Sequence, residues 1–398
     1  MWWRIKLIMN KKLMIFLKKI FIYINQFGLL RVLSYLRSYI HMNSHKNFKD
    51  SEWRNLSCRD QDDKERIVAI IGPGRFAFST IAFVLRNNNK NFLRCVYSPG
   101  KKTAVSLCKY YNGLYVPSDW RDILNDEKVK LVYISSPADT HAEYAIDCIK
   151  AGKNVYIEKP PVISESQLIL VKESMIKNPK CKVFLGFHRT SSSTFTELEK
   201  FISNESGFIT ANFNMSVNES QVTKNMLDTD FAILDHLCHF TDLILRLVTI
   251  DRAFPCVITP EAIPVNKSTF KISFSIVFAD KSHVSFNYIE IPDFLEGMDE
   301  IIELSKGNLI AKLSNFQELK IELPGRKVNK KNLHRHDGEK IHIEKAFVST
   351  IDNIGRGESI EHIEATSKLY LNLMEAMNKM TPTEVCLSHN SKFPSSDS

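Results

Sequence analysis

Between residues 66 and 186, short apolar runs alternate with helical patterns. The runs lie at 67–71, 92–97, 131–135, 154–157 and 183–185, and the helical patterns near 75–86, 101–111, 140–151 and 164–177. The first run puts five apolar residues in a row, which suits a strand buried on both faces. Strands alternating with helices of this length predict βαβ units and a parallel sheet. The crossovers should be right-handed, and a ligand crevice is expected at the carboxyl ends of the strands. After residue 186 the period changes. Runs at 208–217, 270–279 and 282–291 alternate apolar with polar residues, and 298–305, 309–313 and 318–323 do so less cleanly. They predict a largely antiparallel sheet with one face covered. Helical stretches at 230–248, 339–353 and 361–380 accompany it, and the Ser-rich segment from residue 382 reads as a frayed tail.

The turn after the first run is Gly72-Pro73-Gly74-Arg75-Phe76-Ala77. A strand, a Gly-x-Gly-x-x-Ala turn and a helix in that order are the context a dinucleotide fingerprint requires. Gly72 permits the tight turn and Gly74 lets backbone N–H groups approach a pyrophosphate. Arg75, Phe76 and the small Ala77 open a helix whose N-terminus favours an anion. The next strand ends at Val96-Tyr97-Ser98-Pro99-Gly100-Lys101-Lys102, with no acid for a ribose 2′-hydroxyl. Ser98 with Lys101 or Lys102 suits a 2′-phosphate, which favours NADP over NAD; two solvated lysines opening a helix are the plain alternative. The run at 131–135 leads into Ser136-Pro137-Ala138-Asp139-Thr140-His141, where Thr140 or Asp139 can cap a helix. The run at 154–157 stops at Glu158-Lys159-Pro160-Pro161. A charged pair at that edge points into the ligand crevice, and the prolines fix the backbone around it.

Charge adds a separate segment. The 398 residues carry a net charge of +8, yet residues 1–49 hold ten of the 53 Lys and Arg and none of the 45 Asp and Glu. The rest of the chain is slightly acidic, so no basic surface of the body tracks a nucleic acid. Within this arm, two apolar-basic blocks at 13–25 and 29–40 are interrupted by Lys18, Lys19, Arg31 and Arg37. No charge-free run reaches the ~18–20 residues of a spanning helix. Residues 1–42 therefore read either as a helix lying in a membrane interface or as a basic helix docked on a protein surface. Residues 43–65 read as a polar linker. Eight cysteines stand singly without a Cys-x-x-Cys pair, so neither a zinc site nor a disulfide framework is expected, and an intracellular setting fits. His334, His336 and His342 fit no standard metal spacing and read as a solvated loop.

Taken together, Gly72-x-Gly74-x-x-Ala77, Ser136-Pro137-x-x-Thr140-His141, Ala151-Gly152-Lys153-x-Val155, Glu158-Lys159-Pro160 and Asp235-x-x-x-His239-x-x-Asp242 resemble the Gfo/Idh/MocA family of NAD(P)-dependent oxidoreductases. Gly186-Phe187-His188-Arg189 and Cys238-His239-Phe240-x-Asp242-Leu243 look most like a subgroup linked with bacterial surface-polysaccharide biosynthesis. The resemblance implies a Rossmann domain over 66–186 and an α+β substrate and oligomerisation domain over 187–380, flanked by the arm (1–65) and a flexible tail (381–398). It implies cofactor contacts from Ser136, Pro137, His141, Glu158 and Lys159 and assembly into a homo-oligomer. It also implies hydride transfer between nicotinamide and a secondary alcohol or ketone of a nucleotide-linked or glycan-precursor sugar. Lys159 then supplies positive charge and a proton relay, His239 is the base, and Asp235 orients the imidazole or binds a hydroxyl.

The residues support this separately. Asp235, His239, Asp242 and Arg246 fall at i, i+4, i+7 and i+11, one face of a helix otherwise rich in Leu, Ile and Phe. Asp242 and Arg189, just past the run at 183–185, are candidate substrate contacts, Arg189 for a phosphate or carboxylate. A cytoplasmic enzyme held near the inner membrane face by its arm follows from this reading. The rivals are an NAD-using glycoside hydrolase on the same fold and a non-catalytic cofactor-binding scaffold or sensor. Departures from glycine at Asp228-Thr229-Asp230 and Lys281 fit the scaffold.

Overall fold

A computed structural model of the chain describes residues 20–43, 66–218, 233–261, 271–291, 298–335 and 337–387. Five strands, β1 (Val68–Ile71), β2 (Leu93–Tyr97), β3 (Leu131–Ile134), β4 (Asn154–Ile157) and β5 (Val183–Leu185), form a parallel sheet in the order β2-β1-β3-β4-β5. These are the five apolar runs, each matched to within two residues. Alternate side chains look in opposite directions. Val68, Ile70, Tyr133, Tyr156 and Phe184 join one core, and Ala69, Ile71, Val132, Ile134, Val155 and Ile157 the other. The first core is closed by a helix over 75–88, α2, and by α3 (Lys102–Tyr110). The second is closed by α4 (Ala138–Lys150) and α5 (Glu165–Lys177). With every β1 side chain at 0–1% exposure, each aliphatic residue contributes about 1.5–3 kcal/mol of burial. The chain leaves β1 for β2 and returns past β1 to β3, so the strand order reverses at β1/β3. In open sheets of this order, ligands bind at the carboxyl ends of the strands at that point.

The second sheet has nine strands in the order β13-β12-β11-β10-β6-β9-β8-β7-β14. They are β6 (Ile209–Asn218), β7 (Cys256–Pro260), β8 (Lys271–Val277), β9 (His283–Ile291), β10 (Met298–Lys306), β11 (Leu309–Ser314), β12 (Glu318–Leu323), β13 (Arg326–Lys331) and β14 (Thr383–Val385). All neighbours are antiparallel except β6 and β9, which run parallel. The start of the expected flexible tail is in fact β14, which pairs Val385 with Cys256 and buries it to 1% exposure. Three residues are too few to show a period. The β8–β9 hairpin turns at Lys281 with φ +75°, so this lysine takes the left-handed conformation that glycine adopts without strain.

A helix over 233–248, α6, packs against α8 (Ile360–Lys379), while α7 (Asp337–Ile351) returns to cover the parallel sheet. Helix α1 (Leu29–Met42) follows a helical turn at 20–27 and a break at Gly28 (φ +81°), and it lies on α2 and α3. Residues 1–19 and 44–65, with Asp228-Thr229-Asp230 and His336, lie outside the described residues. Two local expectations change. Helix α4 starts at Ala138, so Thr140 is not its cap; its hydroxyl bonds Ser136 Oγ and Pro137 O instead. His342 is buried in α7, with Nδ1 2.9 Å from Ser191 Oγ and Nε2 2.5 Å from Leu185 O, so it braces the fold and is not a loop residue. His334 is exposed, and no group of His, Cys, Asp and Glu among the described residues is arranged to hold a metal ion.

Candidate active site

The glycine turn is built by close approach of two strand ends. Gly72 has φ +84°, and a Cβ there would lie 2.3 Å from Ser136 N. Ser135 N–H donates to Ile71 O, and Ser135 Oγ to Gly72 O at 2.9 Å, so the ends of β1 and β3 are tied together. A Cβ on Gly74, in contrast, would meet nothing within 4 Å. The open space lies where the turn meets the N-terminus of α2, the place at which Rossmann folds accept an anion. Ala77 is fully buried against the sheet and starts a π-turn (Ala77–Ile81) that continues as Ala82–Asn88.

The other predicted cofactor residues occupy the rim. Ser136 and Pro137 follow β3, Glu158 and Lys159 follow β4, and Ser98 and Lys101 follow β2, with Lys101 at φ +54° opening α3. Phe76 is half-buried on the first core, and the Arg75 guanidinium sits 5.1 Å from the Tyr39 ring centroid. His141 also stands at this rim. It is buried and places Nδ1 2.9 Å from Pro160 O and Nε2 2.8 Å from Ser136 O, bracing the two rim loops.

At the carboxyl end of β4, Lys159 Nζ donates to both Asp235 O and Asp235 Oδ1 at 2.6 Å. Burial disfavours the ammonium, yet Asp235 outweighs it and holds the Lys159 pKa above the ordinary lysine value. Burial likewise opposes ionisation of Asp235, and Lys159 and His236 reverse that, keeping it an anion. His236 was not singled out from the sequence. Its Nε2 lies 3.5 Å from Asp235 Oδ2, its ring stacks on Tyr288, and burial lowers its pKa to about 4. His239 is 3% exposed, beside the His188 ring at 4.8 Å and the Phe187 ring at 5.9 Å. Burial, then the charge of Arg189, pushes its pKa well below the usual imidazole value. Among the described residues, its Nδ1 has no hydrogen-bond partner.

The expected single polar stripe on α6 is split. Residues Ile233–Leu237 form a π-turn, which inserts a residue and re-phases Asp235 against the α-helical part (Cys238–Val248). Asp235 therefore meets Lys159, whereas Asp242 is fully committed elsewhere, 2.6 Å from His362 Nε2 and 3.9 Å from Arg246 Nε. Arg189 is also paired, donating to Glu300 Oε1 at 2.7 Å, and Arg335 holds Glu300 Oε2 at 2.8 Å. Both predicted substrate contacts thus spend their charge inside the protein. Helix α7 closes this wall through Gly338, where a Cβ would strike His188 O at 2.3 Å.

Fold and rim geometry define a class: a Rossmann-like parallel-sheet domain followed by a mostly antiparallel-sheet domain. Residues 66–187 match the model of the Gfo/Idh/MocA oxidoreductase family, described by its NAD-binding Rossmann fold. Inositol 2-dehydrogenase of Salmonella typhimurium is 30% identical over 135 residues, 34% of this chain and 40% of that protein. The inositol 2-dehydrogenase of Gluconacetobacter diazotrophicus is 32% identical over 124 residues, 31% of this chain and 36% of that one. The chain thus aligns with about two fifths of the length of these relatives. The whole fold is shared more widely. A levoglucosan dehydrogenase solved with NADH and levoglucosan superposes with TM-score 0.66 at 16% identity, covering 80% of this chain and 99% of its own. An oxidoreductase domain protein from Kribbella flavida gives 0.67 at 14%, covering 81% and 100%.

Proposed function

We propose that the protein is an NAD(P)-dependent dehydrogenase or reductase acting on a CH–OH group of a sugar, nucleotide-linked or a glycan precursor. The observation that carries this is the Lys159–Asp235 pair, fixed at the carboxyl edge of β4. The nicotinamide, when bound, supplies the hydride acceptor or donor. The residues manage the proton and the charge. Lys159, kept protonated by Asp235, stabilises the alkoxide that develops as the substrate hydroxyl loses its proton. His239 stays neutral because of burial, and its buried Nδ1, without a hydrogen-bond partner among the described residues, is the nitrogen left to accept that proton. Asp235 holds Lys159 and faces His236, while Arg189 and Asp242 build the wall.

The relatives named for inositol and levoglucosan support a polyhydroxylated ring as substrate class. Ser98 and Lys101 at the end of β2 support NADP over NAD. On this reading the enzyme is a cytoplasmic homo-oligomer of a polysaccharide-building system, with residues 1–42 in peripheral contact with the membrane. Fluorescence titration of the full chain with NADH and NADPH comes first, followed by steady-state rates on a panel of sugars and cyclitols. Lys159→Ala should lower kcat by about 10²–10⁴-fold. Unchanged turnover in Lys159→Ala, or binding of cofactor with no turnover of any sugar, would move the scaffold reading ahead.

A further inference from the structure

Helix α1 is amphipathic in the opposite sense to an ordinary surface helix. Its polar residues Arg31, Ser34, Ser38 and His41, at i, i+3, i+7 and i+10, face the protein. Arg31 Nη2 donates to Thr80 Oγ1 at 2.5 Å and to Glu339 Oε2 at 2.7 Å. His41 stacks on Phe78 and places Nε2 2.7 Å from Pro73 O, inside the glycine turn. The opposite face is aliphatic. Leu29, Leu33, Leu36 and Ile40, at i, i+4, i+7 and i+11, with Leu30 beside them, are 43–73% exposed. Surface helices turn such a stripe towards the core, and a contiguous exposed one marks an interaction surface.

We propose that this stripe docks on an anionic lipid bilayer, with α1 lying along the membrane surface. Charge selects the occupant. Residues 1–49 carry ten Lys and Arg and no acid, and six of those cations precede residue 20, so the stripe belongs to an acid-free, cationic segment. A bilayer of anionic lipids complements that charge. A second copy of the chain would bring the same cationic segment against it. Tyr35 and Tyr39 flank the stripe at 44% and 43% exposure with hydroxyls 3.0 Å apart, amphipathic rings of the kind that settle at headgroup depth. None of the described helices is long and apolar enough to cross a membrane, so the contact lies in the plane. This deepens the membrane contact included in the proposed function and stands independently of the hydride chemistry.

The test is vesicle flotation of the full chain with phosphatidylcholine vesicles, with and without phosphatidylglycerol. Wild type is compared with Leu33→Ser/Leu36→Ser/Ile40→Ser. The expected result is flotation only with phosphatidylglycerol, reduced by added salt and weakened about tenfold or more in the triple variant. Unchanged NADH titration and melting temperature would show that the triple variant is folded. If it is not, Leu30→Glu, at a side chain 71% exposed, replaces it with the same expected loss. Three results would overturn the proposal: wild type ignoring phosphatidylglycerol vesicles, flotation unaffected by the substitutions, or light scattering showing that they split a dimer without changing flotation. The last would assign the stripe to a second copy. None of these readouts needs a substrate, so failure here leaves the dehydrogenase reading standing, and the reverse also holds.

Discussion

Lys159 and Asp235 show how one ion pair sets the chemistry of a crevice. Asp235 is the main charge that overrides the effect of burial on Lys159. Asp235→Asn should therefore drop the Lys159 pKa, and the alkaline limb of the kcat–pH profile should move to lower pH. Profiles of wild type and variant measure the shift. Glu158, next in sequence, behaves in the opposite way. Burial lifts its pKa to about 8 from 4.5, although Lys159 opposes the rise. The folded state holds a proton that the unfolded chain releases, so stability falls as pH rises from about 4.5 to 8. Glu158→Gln should flatten that part of the slope, as urea unfolding at pH 5 and pH 8 would show. At this scale the sequence is legible where a residue's place on a strand end decides its direction. Glu158 and Lys159 follow a buried strand and have nowhere else to point. His236 was not legible, because its approach to Asp235 depends on a local winding that no spacing rule includes.

Two helices beside the crevice, α2 and α6, each contain a π-turn, at Ala77–Ile81 and Ile233–Leu237. An inserted residue of this kind is frequent at functional sites, where it re-aims side chains. It also explains why Asp235 does not share with His239 and Asp242 the face that a regular helix predicts. The parallel strands were readable because burial on both faces leaves uninterrupted apolar runs. Strands β13 and β14 were not. The first is an exposed Lys-rich edge, and the second is three residues long. The glycine turn offers a paired test. Gly72→Ala forces a Cβ against Ser136 N in a left-handed conformation and should cost about 1–3 kcal/mol of stability. Gly74→Val enters open space, so it should leave the melting temperature nearly unchanged and abolish NADH binding. Thermal melts and fluorescence titrations of the two variants separate these effects.

Across the whole molecule, Arg189 beyond β5, Glu300 on β10 and Arg335 ahead of α7 form a buried triad joining both sheets. Partners 111 and 35 residues apart give no sequence signal, which is why Arg189 reads as a free substrate contact until the fold is seen. Burial resists the Glu300 charge, but the two guanidiniums win and lower its pKa to about 2. Its contribution is complete above the unfolded value of 4.5 and fades as pH falls towards 2. Glu300→Gln leaves two buried cations short of their anion and should cost about 3–5 kcal/mol at neutral pH, with less difference from wild type in acid. Chemical denaturation at pH 7 and pH 3 checks both statements. The same long reach governs the arm. Arg31 is synthesised 308 residues ahead of its partner Glu339, which at ordinary elongation rates is roughly 15–60 s. Throughout that interval the nascent arm has no finished seat. Whatever surface meets it first during translation does so before the rest of the chain can compete.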